Sequence, residues 1–397
     1  MNKSCMNMVN EIKGELPLVS VIVPAYNAEA FISRTLQSII SQTYKNIEIL
    51  VVDDGSQDKT AKIVESFAQK DSRISLFKQS NSGVASARNL AIENSKGEYI
   101  APIDADDIWY PEKLEKQVQC MLTADQSVGL IYAWSVFIDE EDAIVGQYIP
   151  HHHLNVLSIE GEVYPAMLYT NFIINASVPL IRRVCFEKVG GYSSKLRQQN
   201  AQGCEDWDIY LRIAEYYQFR VVPEFLIGYR QVKASMSNGC KTMEKSYNLV
   251  MADFRKRHPE IPTHIYHWSA SSYYVHLAWK SRASGDYWST LTWLYKSIKL
   301  DYSPLLLRPV YQCLIECLLK IAVEPITSFI WQDHHSWLQL RQKFYSQKNR
   351  VAVSQVTTVS DIQNQMSQPY KLPLKPYARI MWQRWLKVLQ LCRALSH

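Results

Sequence analysis

Four short apolar runs alternate with helical segments between residues 19 and 103, and this alternation restricts the fold more than any other feature. The runs are Val19–Val23, Ile47–Val52, Ile74–Lys78 and Tyr99–Ile103. Their Val and Ile content is typical of strands that are buried on both faces of a sheet. The segments between them, such as Glu29–Gln42, carry apolar residues at helical spacing. The sequence therefore predicts βαβ units and an α/β fold with a mainly parallel sheet sandwiched by helices.

Polar clusters follow three of these runs, at the points where the strands are expected to end. The clusters are Tyr26 and Asn27 after Pro24, which is predicted to end the first strand, then Asp53 and Asp54, and then Asp104, Asp106 and Asp107. Parallel strands place their carboxyl ends at one edge of the sheet, where ligands bind. Each cluster alone is also typical of a turn. Three of them on one edge favour a ligand site.

The cluster after the fourth run indicates what the ligand is. Three carboxylates within four residues repel one another unless a cation lies among them. Mg²⁺ and Mn²⁺ bind carboxylate oxygens and often share them with phosphates. The first hypothesis is therefore a metal–diphosphate site. The alternative is an acidic turn that caps the next helix, and Asp107, shortly before Pro111, is interpreted in this way.

Two common nucleotide-binding motifs are absent from the sequence. No Gly-x-Gly-x-x-Gly follows the first predicted strand, and no Gly-x-x-x-x-Gly-Lys-Ser/Thr occurs anywhere. This argues against a dinucleotide-binding fold of the usual kind and against a P-loop. Residues 24–28 also lack the Gly and the basic residues of a nucleotidyltransferase triphosphate loop.

Four segments together carry a family resemblance. Val19–Asn27, Val51–Ser56, Asn81–Asn89 and Gly97–Pro111 resemble the inverting family 2 glycosyltransferases of GT-A fold, in order and spacing, over about residues 17–235. The resemblance implies a nucleotide-sugar donor, with UDP-sugar favoured, and a cofactor that is Mg²⁺ or Mn²⁺.

The resemblance also implies roles for single residues. Pro24, Tyr26, Asn27 and Asp53 would contact the nucleotide, with Asp53 accepting from a uracil nitrogen and Asp54 packing behind it. Gly83 would let its loop approach the nucleotide, Arg88 would orient that loop, Asp104 would contact donor hydroxyls and Asp106 would bind the metal. For Arg88, an internal salt bridge to one of these aspartates is the alternative.

A second acidic segment, Gly203–Asp208, begins an amphipathic helix. Acidic residues in a first helical turn are expected from the helix dipole alone. The family resemblance instead implies that Asp206 is the general base that deprotonates the acceptor hydroxyl, with Glu205 holding the acceptor. Trp207 would support either a sugar ring or the packing of the helix.

One position departs from the family. Tyr229, Arg230 and the segment 235–237 resemble the strand and loop that close over the donor, but Val232 stands where many members have His. Lys233 is an alternative source of charge for the diphosphate.

The second half of the chain is predicted to be helical and basic. From residue 241 onward it has 21 Lys and Arg against 9 Asp and Glu, whereas the whole chain has a net charge of +5. We predict an N-terminal extension (1–16), a GT-A catalytic domain (17–240), a helical domain (241–346), a flexible linker (347–370) and an amphipathic C-terminal helix (371–397). This helix is interpreted either as lying on an anionic membrane surface, with Trp near the headgroups, or as docked on the preceding helices.

The remaining features bear on location. The eight cysteines form no Cys-x-x-Cys pair, Met1–Leu16 has no apolar core of a signal peptide, and no run of about 18 uncharged apolar residues occurs. We expect a cytoplasmic protein, peripheral to the inner face of the cytoplasmic membrane in one interpretation. His151, His152 and His153 are interpreted as a solvated loop, because three adjacent residues seldom bind one ion.

The sequence as a whole predicts transfer of a sugar to an acceptor hydroxyl with inversion. The acceptor is expected to be a saccharide or a lipid-linked molecule of cell-surface polysaccharide or glycolipid synthesis, and no nucleic-acid partner is expected. The alternative is a non-catalytic nucleotide-sugar-binding or scaffold protein that keeps the GT-A fold.

Overall fold

A single mixed sheet forms the centre of the computed structural model, which describes residues 16–148, 158–232, 239–330 and 376–395. Its nine strands in this part of the chain are β1 Val19–Ala25, β2 Ile47–Asp53, β3 Ile74–Lys78, β4 Tyr99–Pro102, β5 Ile108–Trp109, β6 Val128–Ile138, β7 Ile144–Tyr148, β8 Leu180–Arg182 and β9 Gln218–Arg230.

The helices that surround the sheet and follow it are α1 Ile32–Ile40, α2 Thr60–Ala68, α3 Val84–Asn94, α4 Lys113–Leu122, α5 Tyr164–Tyr169, α6 Arg183–Val189, α7 Lys195–Gln198, α8 Glu205–Ala214, α9 Cys240–Arg257, α10 Thr263–Ala283, α11 Tyr287–Leu300, α12 Arg308–Ile330 and α13 Pro376–Ala394, with a 3₁₀ turn at Ser303–Leu306. None of the described helices is long and apolar enough to span a membrane.

The first half of the sheet is parallel, as the strand–helix alternation predicts. β1 pairs in parallel with β2 and β4, and β2 pairs in parallel with β3. All seven residues of β1 are buried, because helices cover both faces of the sheet. The carboxyl ends of β1, β2 and β4 therefore meet at one edge. The α/β class and the mainly parallel sheet are confirmed.

The second half of the sheet brings later segments to the same edge. β8 is antiparallel to β4 and β6, while β6 and β9 are parallel. The short strand β5 pairs with β9 at Ile108 and Gly228. A Cβ at position 228 would lie 2.8 Å from Cγ1 of Ile108, so glycine is needed for this close approach. This pairing places the acidic turn after β4 beside the end of β9.

The limits of two strands, β8 and β1, depend on local contacts. β8 includes only Leu180–Arg182, because the carbonyls just before it accept hydrogen bonds from side chains: the Ser177 carbonyl from Trp109 and the Val178 carbonyl from Gln117. Pro24 does not end β1, which continues to Ala25. Its pairing with β4 stops at Ile22, so Pro24 lies where β1 has a single neighbouring strand.

Two of the helices after the sheet, α10 and α13, belong to the same hydrophobic core as the sheet. Ile265 and Tyr266 of α10 belong to the main hydrophobic core, and α10 packs on α5. α13 belongs to the same core through Met381, Trp385, Val388 and Cys392. Its Arg384 forms a buried salt bridge with Asp301, at 2.6 Å between Nη1 and Oδ2. The docked interpretation of this helix therefore describes its apolar face.

Candidate active site

The turns after β1 and β2 are joined by hydrogen bonds through Asn27. Its backbone N–H donates to Oγ of Ser56, and its Oδ1 accepts from the backbone N–H of Gln57. Asn27 has a φ of 47°, a left-handed conformation that asparagine tolerates. Tyr26, between this turn and Ala25, is 51% exposed. The tyrosine ring is therefore open to a ligand, while Asn27 holds the two turns together.

The two aspartates at the end of β2 have different surroundings. Asp54 accepts hydrogen bonds from the side chain of Gln79 and from the backbone N–H groups of Ser82 and Gly83, at 2.6 to 2.8 Å. Its carboxylate therefore holds the loop before α3. Asp53 accepts one bond, from the backbone N–H of Ser56. This difference leaves Asp53 more capacity to accept from a ligand.

Gly83 lies at the start of α3 with a φ of +94°. A Cβ at this position would lie 2.7 Å from Cδ of Arg197. The close approach that the glycine permits is thus filled, in this structure, by a side chain from α7. The segment around α7 carries no sequence pattern that predicts this contact.

Arg88 of α3 is buried and forms an ion pair with Asp104, at 2.5 Å between Nη2 and Oδ1. Its guanidinium also lies 5.1 Å from the centre of the Tyr192 ring. The internal salt bridge that the sequence leaves as an alternative is therefore present. The positive charge of Arg88 also acts on Asp206, whose pKa it lowers.

Asp106 and Asp107 are adjacent but have opposite surroundings. Asp107 is fully buried and accepts from the Ser177 hydroxyl at 2.5 Å and from the Arg230 backbone N–H at 2.8 Å. The prediction that Asp107 caps a helix is wrong: α4 begins at Lys113, and Asp107 ties the turn to β9. By contrast, no other described residue donates a hydrogen bond to the Asp106 carboxylate. Burial and the charge of Asp104 raise the pKa of Asp106 to about 6.

Arg230 supports this turn from the end of β9. Its Nε donates to the Asp106 carbonyl at 2.6 Å, its Nη1 donates to the Asp139 carbonyl, and it forms an ion pair with Asp142. The charge of Arg230 is therefore used inside the protein. Sequence reasoning assigned this residue to a strand and loop over the donor, and it missed the part played by Ser177.

Asp206 lies in the first turn of α8 and is partly exposed. Its Oδ1 accepts from the backbone N–H of Trp207, and no other hydrogen bond to it occurs in the described chain. Burial raises the pKa of Asp206 to about 7; the charge of Arg88 opposes this shift, and Glu205 adds to it. A carboxyl group with such a pKa can exchange a proton near neutral pH.

The neighbours of Asp206 fix the start of α8. Glu205 accepts from the backbone N–H of Gly203, and the Trp207 indole N–H donates to the carbonyl of Met167, both at 2.8 Å. The Trp207 ring is buried against Tyr247 and Tyr273. Of the two interpretations of Trp207, the structure shows helix packing.

The two acidic segments lie around one side chain. Burial raises the pKa of Tyr229, and the charges of Asp107, Asp104, Asp106 and Asp206 raise it further. These carboxylates therefore lie near a common point at the sheet edge. Within the described residues, no group of three or more His, Cys, Asp and Glu side chains could hold a metal ion by itself.

Some predicted features lie outside the described residues. These are residues 1–15, the histidines 151–153, Lys233, the segment 235–237 and the proposed linker 347–370. Val232 is described and directly follows Gln231 at the end of β9.

Comparison with known proteins identifies the family. Residues 20–156 match the family model described as glycosyl transferase family 2. An uncharacterized glycosyltransferase of Rickettsia typhi is 30% identical over 241 residues, which cover 61% of this chain and 72% of the relative. One from Methanocaldococcus jannaschii is 32% identical over 227 residues, covering 56% and 73%. These likenesses and the sheet-edge acids define a glycosyltransferase enzyme. The chain belongs to glycosyltransferase family 2.

A solved structure shares the fold. The mannosyltransferase of Pyrobaculum calidifontis in complex with GDP-Man and Mn²⁺ has a TM-score of 0.50 and 18% identity, over 91% of this chain and 94% of that one. This likeness agrees with a GT-A-type fold followed by helices, as the sequence predicts.

Proposed function

We propose that this enzyme transfers a sugar from a UDP-sugar to an acceptor hydroxyl with inversion, with the help of Mg²⁺ or Mn²⁺. The observation that carries the proposal is the placement of Arg88, which forms an ion pair with Asp104 and whose charge also acts on Asp206, so that the two acidic segments share one site; burial raises the pKa of Asp206 there to about 7. A base of this pKa is half-ionised at neutral pH and can take the proton of a hydroxyl as that hydroxyl attacks.

The proposed reaction is a single displacement. The acceptor oxygen bonds to the anomeric carbon while the bond from that carbon to the diphosphate oxygen breaks, and attack from the opposite face inverts the configuration. Asp206 takes the hydroxyl proton, and Glu205, which is held by the Gly203 N–H, lies beside it to bind the acceptor. The nucleoside diphosphate leaves with the electron pair.

The residues at the acidic turn fit a divalent cation that shares a diphosphate. Asp106 has a carboxylate to which no other described residue donates, and a cation would relieve its repulsion with Asp104. One carboxylate suits Mg²⁺ or Mn²⁺ when phosphates and water complete the coordination. When bound, the ion would neutralise charge that develops on the leaving group. Asp104, held by Arg88, is positioned for the donor hydroxyls.

The pocket for the nucleobase of the donor would be formed by Tyr26, Pro24 and Asp53. Asp53 has acceptor capacity beyond its bond to Ser56, and uracil offers a ring N–H to such a carboxylate. Guanine offers one too, and the fold neighbour binds GDP-Man. The test therefore includes both nucleotides.

The experiment measures nucleoside diphosphate release from a panel of UDP- and GDP-sugars, with Mn²⁺, Mg²⁺ or EDTA, and then product anomer by NMR. We expect release from a UDP-sugar that requires the metal, and inverted product with a saccharide or lipid-linked acceptor. Release from a GDP-sugar would correct the nucleotide alone. Tight donor binding without any transfer would favour a non-catalytic binding protein.

We also propose that the exposed face of α13 contacts an anionic membrane. No acidic residue occurs between 376 and 395, and the face that points to solvent carries Arg379, Lys387 and Arg393. Trp382 and Leu386 on that face are 37% and 42% exposed. Cations with interspersed Trp and Leu suit the surface of an anionic bilayer.

Flotation with anionic lipid vesicles, which represent the inner face of the cytoplasmic membrane, tests this contact. Truncation is unsuitable because α13 completes the core, so the three cations Arg379, Lys387 and Arg393 are changed to Gln together. The control changes three exposed lysines elsewhere, Lys62, Lys70 and Lys96, to Gln. We expect only the first variant to lose binding to phosphatidylglycerol vesicles. Equal loss of vesicle binding in both variants would show that binding depends on the net charge of the protein and not on α13.

A further inference from the structure

Most positive charge at the sheet edge is already neutralised by the fold. Arg88 is paired with Asp104, and Arg230 with Asp142. The acids at this edge are Asp53, Asp54, Asp104, Asp106, Asp107, Glu205 and Asp206. The diphosphate of a nucleotide sugar would add further negative charge. Its binding therefore calls for a cation whose charge is not used inside the protein.

Arg197 of α7 is such a cation. Its Nη2 donates to the backbone carbonyl of Asn81 at 3.2 Å and to the side-chain Oδ1 of Asn81 at 2.6 Å. Both acceptors are uncharged, and in the described chain no carboxylate lies within ion-pair distance of this guanidinium. Both bonds use Nη2, so Nη1 and Nε keep N–H donors for a ligand. The side chain is partly exposed, which leaves it accessible.

The guanidinium lies against the loop that the family resemblance assigns to the nucleotide. Its side chain covers Gly83, which begins α3 and whose N–H is held by Asp54. The same loop packs on the turn after β2: a Cβ on Gly55 would lie 2.9 Å from the Asn81 nitrogen. Arg197 is thus held by Asn81 next to the turn that carries Asp53.

The segment that carries Arg197 leads directly to the proposed base. Within it, the Gln199 carbonyl accepts from Nζ of Lys245 in α9 at 2.5 Å, and the Gly203 N–H donates to Glu205. This segment is therefore anchored at its end near Asp206, while Arg197 reaches across to the donor loop at its other end.

We propose that Arg197 binds the diphosphate of the nucleotide-sugar donor through the N–H groups that Asn81 leaves free, while Nη2 stays on Asn81. A guanidinium carries N–H donors on three nitrogens, so it can hold Asn81 and a phosphate oxygen at once, whereas a lysine has its donors on a single nitrogen. The assignment rests on the proposed function. It provides a positive charge in place of the His that many family members have at the position of Val232. It also connects donor binding to the segment next to Asp206.

Calorimetry on the full chain tests the assignment with UDP and Mn²⁺ at fixed ionic strength, and NMR titration measures the weaker binding of uridine. Arg197→Ala is expected to weaken UDP binding by about 10- to 100-fold and to leave uridine binding unchanged. The affinity of Arg197→Lys for UDP should lie between those of Arg197→Ala and the wild type. Lys195→Ala, which removes an exposed cation from the same short helix, is the matched control and should bind UDP as the wild type does.

The outcomes separate two failures. If Arg197→Ala weakens UDP and uridine equally, Arg197 only holds the loop in place, and the assignment is wrong. If its UDP binding is normal, the assignment is also wrong while the proposed function stands. If the wild type binds GDP instead of UDP, the same comparison is made with GDP and guanosine. If it binds no nucleoside diphosphate, the proposed function fails as well.

Discussion

Two acidic segments lie at the sheet edge, and each contains one carboxylate that is held by another side chain and one that is not. In the turn after β4, Asp107 is hydrogen-bonded by Ser177 and Arg230. In the first turn of α8, Asp208 is paired with Arg212 at 2.7 Å. A second aspartate in each segment, Asp106 in the turn and Asp206 in α8, has no side-chain donor among the described residues. Neighbouring acids of one type therefore serve different purposes according to which partners reach them.

The two open carboxylates also differ from each other. The pKa of Asp106 is raised to about 6, by burial and by the charge of Asp104. The pKa of Asp206 is raised to about 7, by burial and by Glu205, against the opposing charge of Arg88. A metal ion would lower the first pKa and keep that group ionised. The second suits a group that must accept a proton. Similar acidic segments are thus distinguished by their charged neighbours.

The largest expected effect separates Asp206 from Asp208. Asp206→Asn keeps an acceptor for the Trp207 N–H but removes the base, so kcat for sugar transfer should fall by about 10²- to 10⁴-fold with little change in donor binding. Asp208→Asn breaks the ion pair with Arg212 and should lower Tm while kcat stays within a few-fold. Transfer assays and thermal unfolding of both variants measure this. Equal kcat in the two variants would contradict the assignment of catalysis to Asp206 and of a structural ion pair to Asp208.

The next effect separates Asp106 from Asp107. Asp106→Asn should lower transfer by about 100-fold or more and weaken Mn²⁺ binding in the presence of UDP, with an unchanged Tm. Asp107→Asn leaves buried donors poorly paired and should lower the free energy of unfolding by about 1–3 kcal/mol. Denaturant titration and Mn²⁺ titration check the pair. A stable Asp107→Asn protein would show that the turn is held by other contacts.

The pH dependence of the wild type should follow Asp206. As a general base it acts when deprotonated, so kcat/KM should be low below pH 6 and should rise through a midpoint near pH 7. The profile is measured with saturating metal, and Asp206→Asn should lose this limb. A flat profile between about pH 5.5 and 8.5 would assign the proton to another acceptor.

The smallest effects come from the neighbours that tune Asp206. Glu205→Gln removes a negative charge that raises its pKa, so the acidic limb of the profile should move to lower pH. Arg88→Met removes a positive charge that lowers it, so the limb should move to higher pH. Each shift is expected to be about one pH unit or less. Shifts of the same sign in both variants would contradict the electrostatic explanation.

The sequence was most informative where a feature depends on nearby residues. The strands β1 to β4 and the polar clusters at their ends follow from apolar runs and turn residues along one stretch of chain. Asp107 was misassigned because its partners Ser177 and Arg230 are 70 and 123 residues away. The contact of Arg197 with Asn81 spans 116 residues, and no periodic pattern marks it. Family resemblance supplied expected roles, but not which carboxylates the fold itself uses.

The position of α13 has a consequence for co-translational folding. Tyr169 of α5 contacts Met381 across 212 residues, and Trp385 completes the same core while only 1% exposed. The face of α5 that receives α13 stays uncovered until that late helix has been synthesised. A nascent chain therefore carries a finished sheet with an open apolar surface from the synthesis of β9, which ends at Arg230, until that of α13. Chaperone binding should concentrate on this interval, and premature stop codons before residue 376 should yield aggregation-prone fragments.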